Sequence, residues 1–209
     1  MYKGILFVIA AASGTGKTTL AKALIKQDLN LKASISYTTR PKRDDEVEGK
    51  SYHFVDDEKF DALLAEGLFL EHAAVYNYRY ATPKAYVEDI LNKGIDALLV
   101  LDWQGVQALK KAYQDVVSIF LLPPSVKALQ DRLTQRSSHS GEKEGRQETF
   151  YEDLHHCEGC DYLVINDQFT KAVQELMAII DAERLKTGRQ SLKNTGLIKS
   201  LLAEVEKNS

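Results

Sequence analysis

Lys17 and Thr18 close a run, Ala11-Ala12-Ser13-Gly14-Thr15-Gly16-Lys17-Thr18, that follows the pattern G-x-x-x-x-G-K-[ST] except for Ala11 at the first glycine position. Gly14 and Gly16 let the backbone bend so that successive amide hydrogens converge on phosphate oxygens, and a helix starting at Lys17 aims its positive end at the same point. Lys17 then bridges the outer phosphates of a nucleotide, and the hydroxyl of Thr18 is an oxygen ligand suited to Mg2+. The stretch from Ala11 to Thr19 is therefore the expected nucleotide cradle. A glycine-rich turn with a surface lysine is the plain alternative, but this run follows an apolar strand and opens a helix, as phosphate binding requires.

A second concentration of chemistry is SYTTRPKRDDEVEGKSYHFV, Ser36 to Val55, which places Arg40, Lys42 and Arg43 in a net acidic chain. Guanidinium forks suit a phosphate that must be held in one orientation. Asp44, Asp45, Glu46 and Glu48 leave room for a solvated charged loop on composition alone. A third is Cys157 and Cys160 behind His155 and His156. Zinc sites draw four ligands from two separated pairs, whereas these four crowd into six consecutive residues, so two ordinary thiols near a helix end are favoured over metal or redox chemistry.

The elements that must position these residues can be read from apolar periodicity. Ile5 to Ala11 predicts a buried strand, followed by the loop and a helix with Leu20, Leu24 and Ile25 on one face. Apolar runs at Ile95 to Leu101, Val116 to Leu122 and Tyr162 to Ile165 alternate with helical patterns at Gln104 to Ala112, Ser125 to Gln135 and Phe169 to Arg184. The expected fold class is α/β, a parallel sheet core with helices on both faces. Between them, short strands at Ala33 to Tyr37, Tyr52 to Val55 and Leu68 to Val75 around a helix at Asp57 to Glu66 predict an inserted small α+β lobe. The polar, glycine-containing SSHSGEKEGR, Ser137 to Arg146, predicts a lid. One amphipathic segment, Leu197 to Val205, reads as a closing helix, with a simple packed or solvent-facing helix as the plain reading of the same pattern. The expected parts are thus a core over 1–35, 95–135 and 160–185, a lobe over 36–94, a lid over 136–158 and a tail over 186–209.

The chain has 209 residues, 44% of them hydrophobic and 27% charged, which excludes a disordered or fibrous protein and favours one domain. A formal charge of −3 gives the surface as a whole no attraction for nucleic acid or anionic membrane. The apolar run Gly4 to Ala12 is too short to span a bilayer and lacks a secretory cleavage pattern, so the cytoplasm is expected. Oligomeric state is not readable.

SGTGKTTL, SYTTRPKR with EVEG and YHFV, FLEHAAV, LDWQG, PPS and VIND occur in the order found in guanylate kinases, and over roughly residues 3 to 185 the chain resembles that family. The resemblance implies ATP and GMP as substrates, ADP and GDP as products, Mg2+ as cofactor, and a core, a GMP-binding lobe and a lid. It implies that Arg40, Arg43, Tyr52 and Tyr80 hold the acceptor phosphate and that Ser36, Glu71 and Thr82 hold guanine. Asp102 would serve the acceptor nucleotide or the magnesium shell, Arg136 and Arg146 would meet the transferring phosphoryl group beside Lys17 and Arg43, and Asn166 and Asp167 would line the ATP side. Trp103 is expected to pack, and Arg132 to form a structural ion pair.

The chain departs from the family pattern in several places. It has Asn77-Tyr78-Arg79-Tyr80-Ala81-Thr82 for Gly-Asn-Tyr-Tyr-Gly-[ST], Val100 for a common Asp, Asp45 for a usual glycine, and no Gly-x-x-[ST]-E-E in the lid. Two other readings stay open: a kinase for another small acceptor such as a sugar phosphate, and a noncatalytic interaction module built on the same fold.

Overall fold

The computed structural model describes residues 2–12, 14–75, 77–113, 115–136 and 154–207. Among these, the strands form two sheets. The first is parallel, in the order β2 (Leu31–Ala33), β7 (Asp96–Leu101), β1 (Leu6–Ala10), β8 (Val116–Leu122) and β9 (Tyr162–Ile165). Every residue of the central β1 is buried, as expected for a strand covered on both faces. Ile5, Phe7 and Ile9 point to one side, where α1 (Lys17–Gln27) supplies Leu20 and Leu24 and α6 (Phe169–Leu185) supplies Val173, Leu176 and Ile180. Leu6, Val8 and Ala10 point to the other, against α3 (Lys84–Asn92) through Val87 and Ile90, and α4 (Trp103–Ala112) through Val106 and Leu109. Each such side chain contributes about 1.5–3 kcal/mol on burial, so β1 is held firmly at the middle of the molecule.

The second sheet is mixed, in the order β4 (His53–Phe54), β3 (Tyr37–Thr38), β6 (Tyr78–Pro83) and β5 (Phe69–Val75), and α2 (Asp57–Ala65) packs on it through Phe60. The strand expected over Ala33 to Tyr37 is two strands in two sheets. Leu31 to Ala33 pair with β7, the Ser34 amide donates to Leu98, and the chain then crosses to pair Tyr37 and Thr38 with β6. The periodicity also missed β6 and α3: β6 alternates poorly because its polar residues are used on both faces, and α3 shows an apolar stripe of only Val87, Ile90 and Leu91.

α5 (Val126–Arg136) follows β8, and a 3-10 turn, Cys157–Gly159, leads into β9. Both thiols are free and pack against the α3/α4 core cluster. No cluster of three or more potential metal ligands occurs among the described residues. At the end of the sheet away from the phosphate loop, Arg184 joins Asp28 at 2.6 Å and fully buried Asp96 at 2.7 Å, and Asp96 accepts the Ile5 amide. The tail forms α7 (Thr187–Lys193) and α8 (Thr195–Lys207). The expected helix over Leu197 to Val205 exists as α8, and its residues are exposed. No described helix is long and apolar enough to cross a membrane. The expected lid falls largely on 137–153, outside the described residues.

Candidate functional site

The glycine-rich loop leaves the C-terminal end of β1, the edge of a parallel sheet where ligands of open α/β folds lie. Gly16, at φ 98°, is the N-cap of α1 and offers no capping side chain, so the first-turn amides stay available to an anion. A Cβ there would sit 2.6 Å from Asn166 Nδ2, so shape as well as conformation demands glycine. Asn166 is nearly fully buried and donates from Nδ2 to the Thr15 carbonyl at 2.7 Å, while the Thr15 hydroxyl donates to the Ala12 carbonyl at 2.8 Å. Arg132 Nη2 donates to the Asn166 carbonyl at 3.0 Å. Among the described residues, Arg132 bonds this backbone carbonyl and not the carboxylate expected of an ion pair. Leu129 and Leu133 of α5 pack on Ala12. The loop is braced from β9 and α5 together.

Lys17 Nζ donates to the Ala11 carbonyl and, at 3.1 Å, to the Ala12 carbonyl, lying back across the loop. Thr18 and Thr19 are exposed on the first turn of α1, and the Thr18 hydroxyl suits a hard cation that also takes phosphate oxygens. Asp167 is exposed beside Asn166 and faces the groove between β9 and α6. Ser13 and Arg146 lie outside the described residues, and Arg136 is the last residue of α5.

The second sheet gathers residues far apart in sequence. Glu71 and Thr82 face each other across β5 and β6, and the Thr82 hydroxyl donates to Glu71 Oε1 at 2.6 Å. Continuing the β3/β6 register by one step brings half-buried Ser36 beside Thr82. Asp102 caps α4 by accepting the Gly105 amide at 2.8 Å. Gly105 separates the two carboxylates: a Cβ there would stand 3.2 Å from both Glu71 Oε2 and Asp102 Oδ1. Burial pushes Glu71 up to about 7, against the Thr82 hydrogen bond and with help from the Asp102 charge. Burial also raises Asp102, opposed by the Gly105 amide and by the Lys17 charge. Asp102 therefore couples electrostatically to the phosphate loop on one side and to Glu71 on the other.

Next to this pair lies a cationic corner. Arg40 is buried and donates to Glu46 Oε1 at 2.6 Å and to the Pro41 carbonyl at 2.8 Å, with its guanidinium 5.5 Å from the Tyr52 ring. The Tyr52 and Tyr80 rings meet edge-on at 5.9 Å, and Tyr80 also interacts with Arg40. Burial raises Tyr52, reinforced by Tyr80 and opposed by Arg40, so its phenol is a neutral donor at ordinary pH. The Arg43 amide donates to Glu46 Oε2 at 2.9 Å, and its exposed side chain is close enough to help hold Glu46 ionised. Burial alone would raise Glu46, but the bonds from Arg40 and from Arg43 reverse it. The four residues expected to hold one phosphate, Arg40, Arg43, Tyr52 and Tyr80, are thus brought together.

Glu46 and Gly105 were not singled out from sequence. Both fall in motifs that carry the resemblance, LDWQG and EVEG, but Gly105 stands as a glycine inside a helical pattern and Glu46 as one more charge in an acidic run. Arg79 leaves the site altogether. On a strand, neighbouring side chains face opposite ways, so it lies over the Phe60 ring at 4.2 Å and pairs with Asp57 and Asp61 of α2. Val100 packs against the α1/α6 core cluster, Asp45 is exposed, and Trp103 stacks on His156 at 3.7 Å.

A family model described as guanylate kinase matches residues 3–183. A guanylate kinase of Coxiella burnetii is 44% identical over 203 residues, covering 97% of this chain and 98% of the relative. One of Legionella pneumophila is 42% identical, covering 96% of each. Among solved structures, guanylate kinase from Anaplasma phagocytophilum superposes with a TM-score of 0.77 at 34% identity over 90% of both chains. A gluconokinase from Sinorhizobium meliloti, at 16% identity and a TM-score of 0.50, shares the fold.

Proposed function

We propose that this chain, which belongs to the guanylate kinase family, transfers the γ-phosphoryl group of ATP to GMP, and to dGMP, giving ADP and the corresponding diphosphate. The observation that carries this reading is the buried Glu71, held by Thr82 and set against the Arg40, Tyr52 and Tyr80 corner. Ionised Glu71 accepts the N1 and exocyclic amino hydrogens of guanine, with Ser36 and Thr82 beside it. Adenine offers an acceptor at N1 and no amino group there, so it would leave a buried carboxylate unpaired. Polar pairing of this kind discriminates by roughly 10⁴ or more.

The acceptor phosphate sits in the cationic corner, with Arg40 and Arg43 as charges and Tyr52 and Tyr80 as donors. Its oxygens are already ionised, so no general base is required. One of them attacks the γ-phosphorus in line, the bond to the β,γ-bridging oxygen breaks, and ADP leaves. The chain's task is alignment and charge neutralisation by Lys17, Arg43, Arg136 and Arg146. Asp102 orients the acceptor side and restrains Lys17, while Asn166 and Asp167 line the ATP side. Magnesium, held by Thr18 together with phosphate oxygens, would supply further neutralisation of the transferring group. The region over 136–158 acts as a lid and 36–94 as the GMP lobe, and their closure excludes water that would otherwise hydrolyse ATP. The enzyme works in the cytoplasm, in purine nucleotide metabolism.

A noncatalytic module has no use for an intact Lys17 and Thr18, and a sugar-phosphate kinase has none for the buried Glu71–Thr82 pair. The test is ADP release with GMP, dGMP, AMP, UMP and ribose 5-phosphate, each with and without magnesium. GMP and dGMP should dominate by about 10³ or more. Equal use of AMP, or preference for the sugar phosphate, would overturn the assignment.

A further inference from the structure

Asp44 and Asp45 are exposed, but the side chain of Glu46 beside them is only 14% exposed and places its two oxygens on different partners. Oε1 accepts from Arg40 Nη2 at 2.6 Å and Oε2 from the Arg43 amide at 2.9 Å. The backbone closes the same turn, since the Glu46 amide donates to the Arg43 carbonyl at 3.1 Å. One residue thus holds the root of Arg43 through both its amide and its carbonyl, and the tip of Arg40 through its guanidinium. Resting on the reading of this corner as the acceptor phosphate site, we propose that Glu46 is a positioning residue: it sets the two arginines in the arrangement that meets the phosphate of GMP, and touches no substrate itself.

A guanidinium carries several N–H donors in one rigid plane. Arg40 commits Nη2 to Glu46 and Nη1 to the Pro41 carbonyl at 2.8 Å, and its charge lies 5.5 Å from the Tyr52 ring and 5.9 Å from the Phe54 ring. Two bonds to a planar group fix its plane and still leave donors for an anion. Arg43 is exposed, and the turn held by Glu46 fixes where its side chain starts. The plain alternative is an ion pair that only offsets the charge of buried Arg40. The two readings differ in sign. A carboxylate 2.6 Å from Arg40 weakens the pull of that arginine on an anion, so neutralising a mere counter-charge would tighten GMP binding. Neutralising a positioning carboxylate would weaken it, because glutamine has one acceptor oxygen for two donors that stand on different oxygens.

The test is isothermal titration of the full chain with GMP, guanosine and ATP, beside steady-state kinetics, for wild type, Glu46→Gln, Glu46→Asp and Asp45→Asn. Glu46→Gln should weaken GMP binding about tenfold or more, leave guanosine and ATP within about twofold, and lower kcat about tenfold, since a misplaced phosphate leaves the line of attack. Glu46→Asp keeps the charge but is one methylene shorter, and should lose as much. Asp45→Asn removes the same unit of charge from the same turn without removing either Glu46 bond, and should change GMP binding by less than about twofold. GMP binding that is unchanged or tighter in E46Q, or E46D equal to wild type, overturns the proposal, because charge alone would then be the part Glu46 plays. Equal losses for GMP and guanosine, or for ATP, also overturn it and mean that the residue only holds the lobe together. A wild-type chain that binds no GMP overturns the acceptor assignment itself, and this inference falls with it.

Discussion

The phosphate loop and the acceptor corner do similar work, gripping anions, with opposite materials. The loop is contiguous, carries one charged side chain within 11–19, and works through backbone amides at the end of the most deeply buried strand. The acceptor corner draws Glu71, Tyr80 and Thr82 from β5 and β6 and Ser36, Arg40 and Tyr52 from the segments flanking β3 and β4, and works through side chains whose charges restrain one another. Backbone sites tolerate change only where a Cβ fits. Side-chain sites tolerate change wherever the alternation of a strand sends a residue to the far face, as it does Arg79.

Four substitutions and titrations would break or sharpen this contrast. The largest effect belongs to the one charge in the loop: Lys17→Ala should lower kcat on the order of 10³-fold while the fold survives, since Lys17 bonds carbonyls of its own loop. A thermal melt alongside the kinetics separates the two, and a loss below about tenfold would mean that amides alone carry the phosphates. Glu71→Gln should cost about 10²-fold or more in kcat/KM for GMP with KM for ATP unchanged, because the amide can accept only one of guanine's two hydrogens. Equal losses for every acceptor would contradict its reading as the base selector.

A pH effect comes next in size. Glu71 titrates near 7 in the folded chain against 4.5 ordinarily, and guanine binds its ionised form. GMP affinity should therefore fall about tenfold per unit as pH drops below 7, with ATP affinity flat, as isothermal titration at pH 5.5 to 8 would measure. The sign for stability is opposite. The unfolded chain releases this proton near 4.5 and the folded chain near 7, so the ligand-free protein loses up to about 3 kcal/mol as pH rises through that window. Glu71→Gln should remove that slope. The smallest effect is expected for Arg79→Tyr, which restores the family residue: GMP kinetics within about twofold and stability lower by about 1 kcal/mol or less, since its partners Asp57 and Asp61 are exposed. A large gain in GMP affinity would place position 79 back in the site.

Sequence reading located the strands of the parallel core closely: Val116 to Leu122 and Tyr162 to Ile165 agree to the residue, because strands buried on both faces are continuously apolar. It was weakest in the second sheet, where short strands with one polar face carry little periodicity, and β6 went unseen although it bears Tyr80 and Thr82. Those two residues were reached through likeness to a family, not through pattern. Glu46 was hidden because its neighbours in sequence are equally acidic, and only the folded chain turns it against Arg40.

The loop from Ala11 to Thr19 was determined by local sequence, because bending, helix initiation and phosphate contact all involve residues adjacent in the chain. Which carboxylate loses its charge, which arginine faces the acceptor and which faces α2, and whether the last helix has anything to lean on were decided only in three dimensions. Those properties depend on burial and on partners on other elements, 11 residues away for Glu71 with Thr82 and 18 for Arg79 with Asp61. Desolvation and pairing are properties of a place in the fold, and a linear string does not contain places.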